Sequence, residues 1–304
     1  MRLDVTLETS HYLAQFDSAN GAACYRLYHK PSRSELLRTP DSEEALAENR
    51  FLFGNPILFP PNRIRGGEFS FEGRQYRFPI NEPNTGCHLH GALYRMPFCL
   101  ASVSESEAVF CYRAEAGEYL NFPHAFRVER RYSLSDDAGL KEITVIFNDS
   151  EQNMPAMLAY HTTFRIPFSE ESAAEHYCLT LPVDRLHKRD AHFLPTCEYE
   201  NGDMNRLLRS GQFVPCRHTV SAFFSAEGST MRLQDEKKNL TLQYRTEGFG
   251  YWMLYNGGNR DFLVVEPQTC AIDAFHIDQS YFEAGVISLP PHEKAEFTTC
   301  ISLE

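Results

Sequence analysis

This sequence predicts an all-β protein, a large antiparallel β-sandwich. Alternation of apolar and polar residues at period two recurs along the chain, while helical patterning is confined to two short stretches. Clusters of Gly, Asp, Ser and Asn separate the alternating runs, as turns between strands require.

Met1 to Leu7 alternates as a strand does. Phe69, Phe71, Tyr76 and Phe78 alternate with polar residues about Gly73, which predicts a hairpin. Phe126 to Leu134 and Leu140 to Phe147 flank Ser135-Asp136-Asp137-Ala138-Gly139, a second hairpin with turn chemistry in place. Leu240 to Tyr244 alternates too, and Tyr251 to Tyr255 and Phe262 to Val265 read as two strands around Asn256-Gly257-Gly258-Asn259. A helix is expected at Asp41 to Ala47, where an N-cap residue precedes an acidic first turn. One helical turn is expected at Asn205 to Arg209, stopping near Gly211. Neither could cover a parallel sheet. Segment 169–218 is richer in charge, Pro and His, and longer loops are expected there. With no repeat, linker or low-complexity tract, residues 1–304 are expected to form a single domain.

Hydrophobic residues at 42% and charged residues at 23% describe a globular chain rather than a disordered one. The net charge of -12 argues against nucleic acid, which needs a basic footprint. Nine cysteines are scattered singly with no Cys-x-x-Cys pair, so zinc ribbons and a disulfide framework are not expected. The N-terminus lacks an apolar signal core, and no stretch of 18 apolar residues occurs, so no membrane partner is expected. Together these predict a cytoplasmic protein.

Three places carry chemistry. In the first, Asn62-Arg63-Ile64 leads through strand-like sequence to His88-Leu89-His90-Gly91. Arg63 follows a rigid Pro60-Pro61 entry and could clamp ligand oxygens. His88 and His90, two apart on a strand, would share a face. Such a pair also suits a metal, but Ala92 to Pro97 supplies no carboxylate and Arg95 is poor company for a cation, so no metal is expected. In the second, His161 lies inside an apolar run beginning at Met157; a neutral-range imidazole there suits a general acid. In the third, Phe262 to Val265 ends in Glu266 before Pro267, where the strand is expected to end or reach a sheet edge. Burial of Glu266 would raise its pKa and make it a stronger base.

With these residues the chain resembles the aldose 1-epimerase (galactose mutarotase) family. The resemblance rests on Asn62-Arg63-Ile64, Gly67 to Phe71 with Gly73 and Tyr76, Asn81, Leu89-His90-Gly91, His161, and Val265 to Thr269 with Asp273-Ala274. Their order holds from about residue 50 to 280, and the block from 62 to 91 is its specific part. The resemblance implies a galactose mutarotase-like supersandwich that interconverts the α and β anomers of a free monosaccharide or sugar derivative without a cofactor. Carried onto this sequence, it makes Glu266 the general base and His161 the general acid, with Arg63, His90 and Asn62 holding sugar oxygens.

Two departures bear on which sugar is bound. The family's usual Asp segment is replaced by Phe213 to Val220, and the strand before Glu266 carries Phe249-Gly250-Tyr251-Trp252. Trp252 could stack on a sugar face or lie in the core. His88, outside the shared pattern, could touch substrate or only support His90. Arg63, Arg65 and Arg95 leave room for a phosphorylated or sulfonated sugar. The rival readings are a non-catalytic carbohydrate-binding or sensing protein on the same fold, and a cupin-type metalloenzyme using His88 and His90.

Overall fold

The computed structural model describes residues 3–304. Two antiparallel eight-stranded sheets dominate. The first runs in the order Cys99–Val103, Glu107–Ala114, Phe126–Ser135, Gly139–Asn148, Lys294–Leu303, Leu240–Glu247, Thr230–Asp235 and Tyr177–Thr180. The second runs Pro195–Glu200, Val183–Arg189, Ser221–Ala226, Tyr251–Tyr255, Phe262–Gln268, Ala159–Tyr160 and Ile57–Leu58, with Thr162–Arg165 also paired to Phe262–Gln268. A four-stranded sheet formed by residues 5–35 and three two-stranded ladders complete the strands.

The predicted elements fall where side-chain periodicity placed them. Phe126–Ser135 buries every second residue, and its partner Gly139–Asn148 closes the predicted hairpin with Ser135 opposite Gly139. Phe69 opposes Tyr76 in the hairpin about Gly73. The predicted N-terminal strand is Val5–Glu8, while Met1 and Arg2 lie outside the described residues. Helix α1 (Glu43–Glu48) is capped by the Ser42 side chain, which accepts from the Ala45 N–H. Helix α2 (Asp203–Ser210) stops at Gly211, whose φ of 70° suits the left-handed cap.

The inner faces of the two large sheets meet in one core. Phe164 lies 5.4 Å from Tyr244 across the interface, and Thr162 Oγ1 and Tyr244 OH are 2.9 Å apart. Trp252 is in this core too, 1% exposed, with its indole N–H donating to Gly228 O. No described helix is long and apolar enough to cross a membrane.

Two expectations are corrected. Segment 169–218 is not mainly loop: it contributes Tyr177–Thr180, Val183–Arg189, Pro195–Glu200 and α2. Pro195–Glu200 is an edge strand exposed along nearly its whole length, so its charge suits its place and hides the usual alternation. The strand holding Glu266 does not end at Pro267 or lie at an edge; it runs to Gln268 in the sheet interior. Gln268 O accepts from Gly250 N on one side, so by alternation Pro267 faces the other. There Tyr160 pairs with Ile57 and the His161 N–H donates to Pro56 O, so the ladder requires no donor from residue 267.

Candidate active site

That break in the ladder builds the site. Within Phe262–Gln268, Leu263 and Val265 point into the main core, so period two sends Glu266 to the opposite face. The register Thr162↔Val265, continued by one residue, sets His161 opposite Glu266. Their Nε2 and Oε1 atoms stand 3.4 Å apart, both side chains almost fully buried. Glu266 Oε2 accepts from Gln268 Nε2 at 3.0 Å, and Gln268 Oε1 accepts from Asn62 Nδ2 at 3.4 Å. This chain of bonds ties the Asn62 corner to the carboxylate.

Asn62 and His90 lock each other. The His90 N–H donates to Asn62 O at 2.9 Å, and the Asn62 N–H donates to His90 Nδ1 at 3.2 Å. Nδ1 is therefore the acceptor nitrogen, and a neutral His90 carries its proton on Nε2. Both residues hold positive φ, 51° and 62°. Gly91 follows at φ 63°, where a Cβ would stand 1.8 Å from Phe59 O. The imidazoles of His90 and His161 are 5.6 Å apart edge to face, with the Phe51 ring against both.

Arg63 is held from two sides. Glu82 takes its Nε and Nη2 at 2.6 and 2.7 Å, and Asp273 fixes its strand by accepting from the Arg65 N–H and donating its own N–H to Arg63 O. Arg63, His90, Asn62, His161 and Glu266 line one cavity of about 370 Å³, a size suited to a small ligand. Sequence reasoning named these five and missed much of the rest of the wall, including Phe51, Glu82, Arg189, Phe193, Ser221 and Met253. Arg189 lay in the stretch read as loop. Glu82 carried no signal, since only the fold sets it against Arg63.

The cavity sorts the other candidates. His88 stays outside it, stacked on Phe78 with Nδ1 2.7 Å from Pro79 O. The strand ends at Leu89 and His90 turns to positive φ, so the two histidines do not share a face as expected. Trp252 faces the core and is no sugar platform. Arg65 is ion-paired to Asp273 and Arg95 is exposed beside Tyr94; neither lines the cavity. Residues 213–220 do not line it either.

Burial sets the electrostatics. It raises the Glu266 pKa to about 8, against the lowering effects of the Gln268 hydrogen bond, Arg63 and Arg189. It pushes His161 down to about 4, and His90 well below the usual imidazole value with help from His161 and Arg63. Burial alone would raise Glu82, but hydrogen bonds from Arg63 and Thr85 outweigh it and hold the acid below its ordinary value. At neutral pH these shifts leave His161 neutral and the pair's one proton on Glu266. The possible ligand atoms of His90, His161 and Glu266 lie within 4.8 Å of one another, a set of the kind that can hold a metal ion. The carboxylate absent from the histidine strand thus arrives from another strand. Arg63 and Arg189 face the same space and raise the cost of adding a cation.

The fold thus brings a buried histidine–carboxylate pair into the wall of a polar cavity, the arrangement an acid–base site needs. The chain belongs to the aldose 1-epimerase family, whose model matches residues 4–302. It is similar to a galactose mutarotase-like protein from Clostridium acetobutylicum, at 26% identity over 98% of this chain and 94% of that one, with a TM-score of 0.91. A putative aldose 1-epimerase from Escherichia coli K12 superposes with a TM-score of 0.81 at 17% identity, over 98% of each chain. The uncharacterized protein YihR of Escherichia coli (strain K12) is 23% identical over 239 residues, 75% of this chain and 74% of that one.

Proposed function

We propose that the protein, with residues 1–304 as one catalytic domain, is a mutarotase that interconverts the α and β anomers of a free sugar or sugar derivative. The observation that carries the reading is the buried His161–Glu266 pair, 3.4 Å apart in the cavity. Burial favours the pair's proton on Glu266 at neutral pH; when it passes to His161, ionised Glu266 removes the proton of the C1 hydroxyl. His161 delivers its proton to the ring oxygen, the bond from C1 to that oxygen breaks, and C1 becomes an aldehyde. Rotation about the C1–C2 bond presents the other carbonyl face, and reclosure with the roles reversed returns both protons. The pair ends as it began, so this route draws on no metal or nucleotide.

Arg63, Asn62 and the Nε2–H of His90 serve as fixed donors to sugar oxygens. All nine cysteines are unpaired, which supports a cytoplasmic location. Polarimetry on freshly dissolved single anomers tests the reading: the protein should speed the approach to the equilibrium rotation for at least one sugar. Saturable sugar binding with no acceleration for any of them would instead favour a sensing or binding role.

A further inference from the structure

The cavity contains a charge that its walls do not balance. Arg63 is paired with Glu82, and Glu266 faces His161. Arg189 has no carboxylate within 4 Å among the described residues. Its Nη2 donates to Ser221 O at 2.5 Å and to Ser221 Oγ at 3.1 Å. Nη1 has only the Met253 sulfur, at 4.0 Å, and Nε has no partner among the described residues. Burial, and then the neighbouring Arg63, lower its pKa to about 10, against the pull of Glu266. A part-buried guanidinium with open donors, in a chain of net charge -12, calls for a counter-charge from outside.

We infer that the cavity takes a sugar bearing one anionic substituent, a carboxylate, phosphate or sulfonate, with Arg189 as its counter-ion and Arg63 beside it. This rests on the mutarotase reading of the same site. Strand order sets the position of the charge: Val183–Arg189, Ser221–Ala226, Tyr251–Tyr255 and Phe262–Gln268 are successive neighbours, so Ser221 and Met253 separate the Arg189 strand from Glu266. The anion therefore sits on a carbon remote from C1.

The Phe193 ring packs against both guanidiniums, 4.8 Å from Arg63 and 5.7 Å from Arg189, and holds them toward one side of the space. The lining is rich in donors, with Arg189, Arg63, Asn62 and His90. Its two carboxylates are engaged, Glu82 with Arg63 and Glu266 with His161. Such a lining suits an acceptor-rich ligand better than a neutral ring of hydroxyls.

The test is anomer exchange by NMR on glucose and galactose, set beside the 6-phosphate, the uronate and the 6-deoxy-6-sulfonate of each. At least one charged sugar should exceed its neutral parent in kcat/KM by about 10-fold or more, as charge-assisted hydrogen bonds warrant. That preference should shrink with added salt and in Arg189→Gln, and recover in part in Arg189→Lys. Neutral sugars exchanged as fast as every charged one would overturn the inference while leaving the mutarotase reading standing. If no sugar is exchanged, that reading fails, and calorimetric binding of the same panel decides the inference alone. A 10-fold preference for a charged sugar upholds it, and equal or absent binding overturns it.

Discussion

Arg130 with Glu142 in the core, and His161 with Glu266 in the cavity, are both buried pairs of an acid and a base. Their surroundings differ. Arg130 sends Nε and Nη2 to the two Glu142 oxygens at 2.7 and 3.1 Å, and also donates to Gly21 O and Asn55 O. Glu142 accepts further bonds from Asn55 Nδ2 and Thr144 Oγ1. Glu266 accepts from Gln268, its histidine contact is a loose 3.4 Å, and His161 Nδ1 has no hydrogen-bond partner among the described residues. Burial is common to both pairs, so burial alone does not mark a site. What separates them is unspent hydrogen-bonding capacity: the core pair, on neighbouring strands of one sheet, has its donors and acceptors filled by the protein, while the cavity pair keeps atoms for a ligand.

The comparison breaks most sharply at Glu266. Glu266→Gln should lower kcat by about 10²–10⁴-fold while the melting temperature stays within a few degrees, read by exchange NMR and calorimetry. Glu142→Ala should do the reverse. It strands a buried guanidinium and should cost about 3–5 kcal/mol in a denaturant titration, with activity following the folded fraction.

The pH profile sharpens the contrast. Below about 4 the His161–Glu266 pair gains a second proton and loses its base; above about 8 it loses its only proton and with it the acid. The rate should trace a bell with limbs near those values, belonging to the pair as a whole. At pH 9 the rate should be down about 10-fold. Smaller again, Glu82→Gln frees Arg63 to wander and should raise KM by about 10-fold with kcat little changed. Last, Trp252→Phe leaves Gly228 O without its donor; it should cost about 1–2 kcal/mol of stability and leave KM unmoved.

Much of this molecule was legible from its residues. Hairpins such as Phe126–Ser135 with Gly139–Asn148 are local, one face buried and one wet, so the alternation survives in the sequence. The five site residues named in advance do meet in one cavity, although their roles rest on the proposed chemistry. The misses share one cause, that the deciding contact is distant in the chain. Arg189 sits beside an exposed edge strand, where charge masks the period. Pro267 reads as a terminator until Tyr160 and His161 are seen to leave its ladder. His90 leaves the face of His88 because its backbone turns to φ 62° against Asn62, a contact no spacing rule encodes.

The central claim is that His161 and Glu266 exchange protons with the sugar, and anomer exchange measured by NMR on folded wild-type, Glu266→Gln and His161→Ala proteins tests it most directly. The wild type should accelerate exchange of at least one sugar, and each variant should lose about 10² or more of that acceleration with its fold intact. Undiminished exchange in either folded variant would contradict the account.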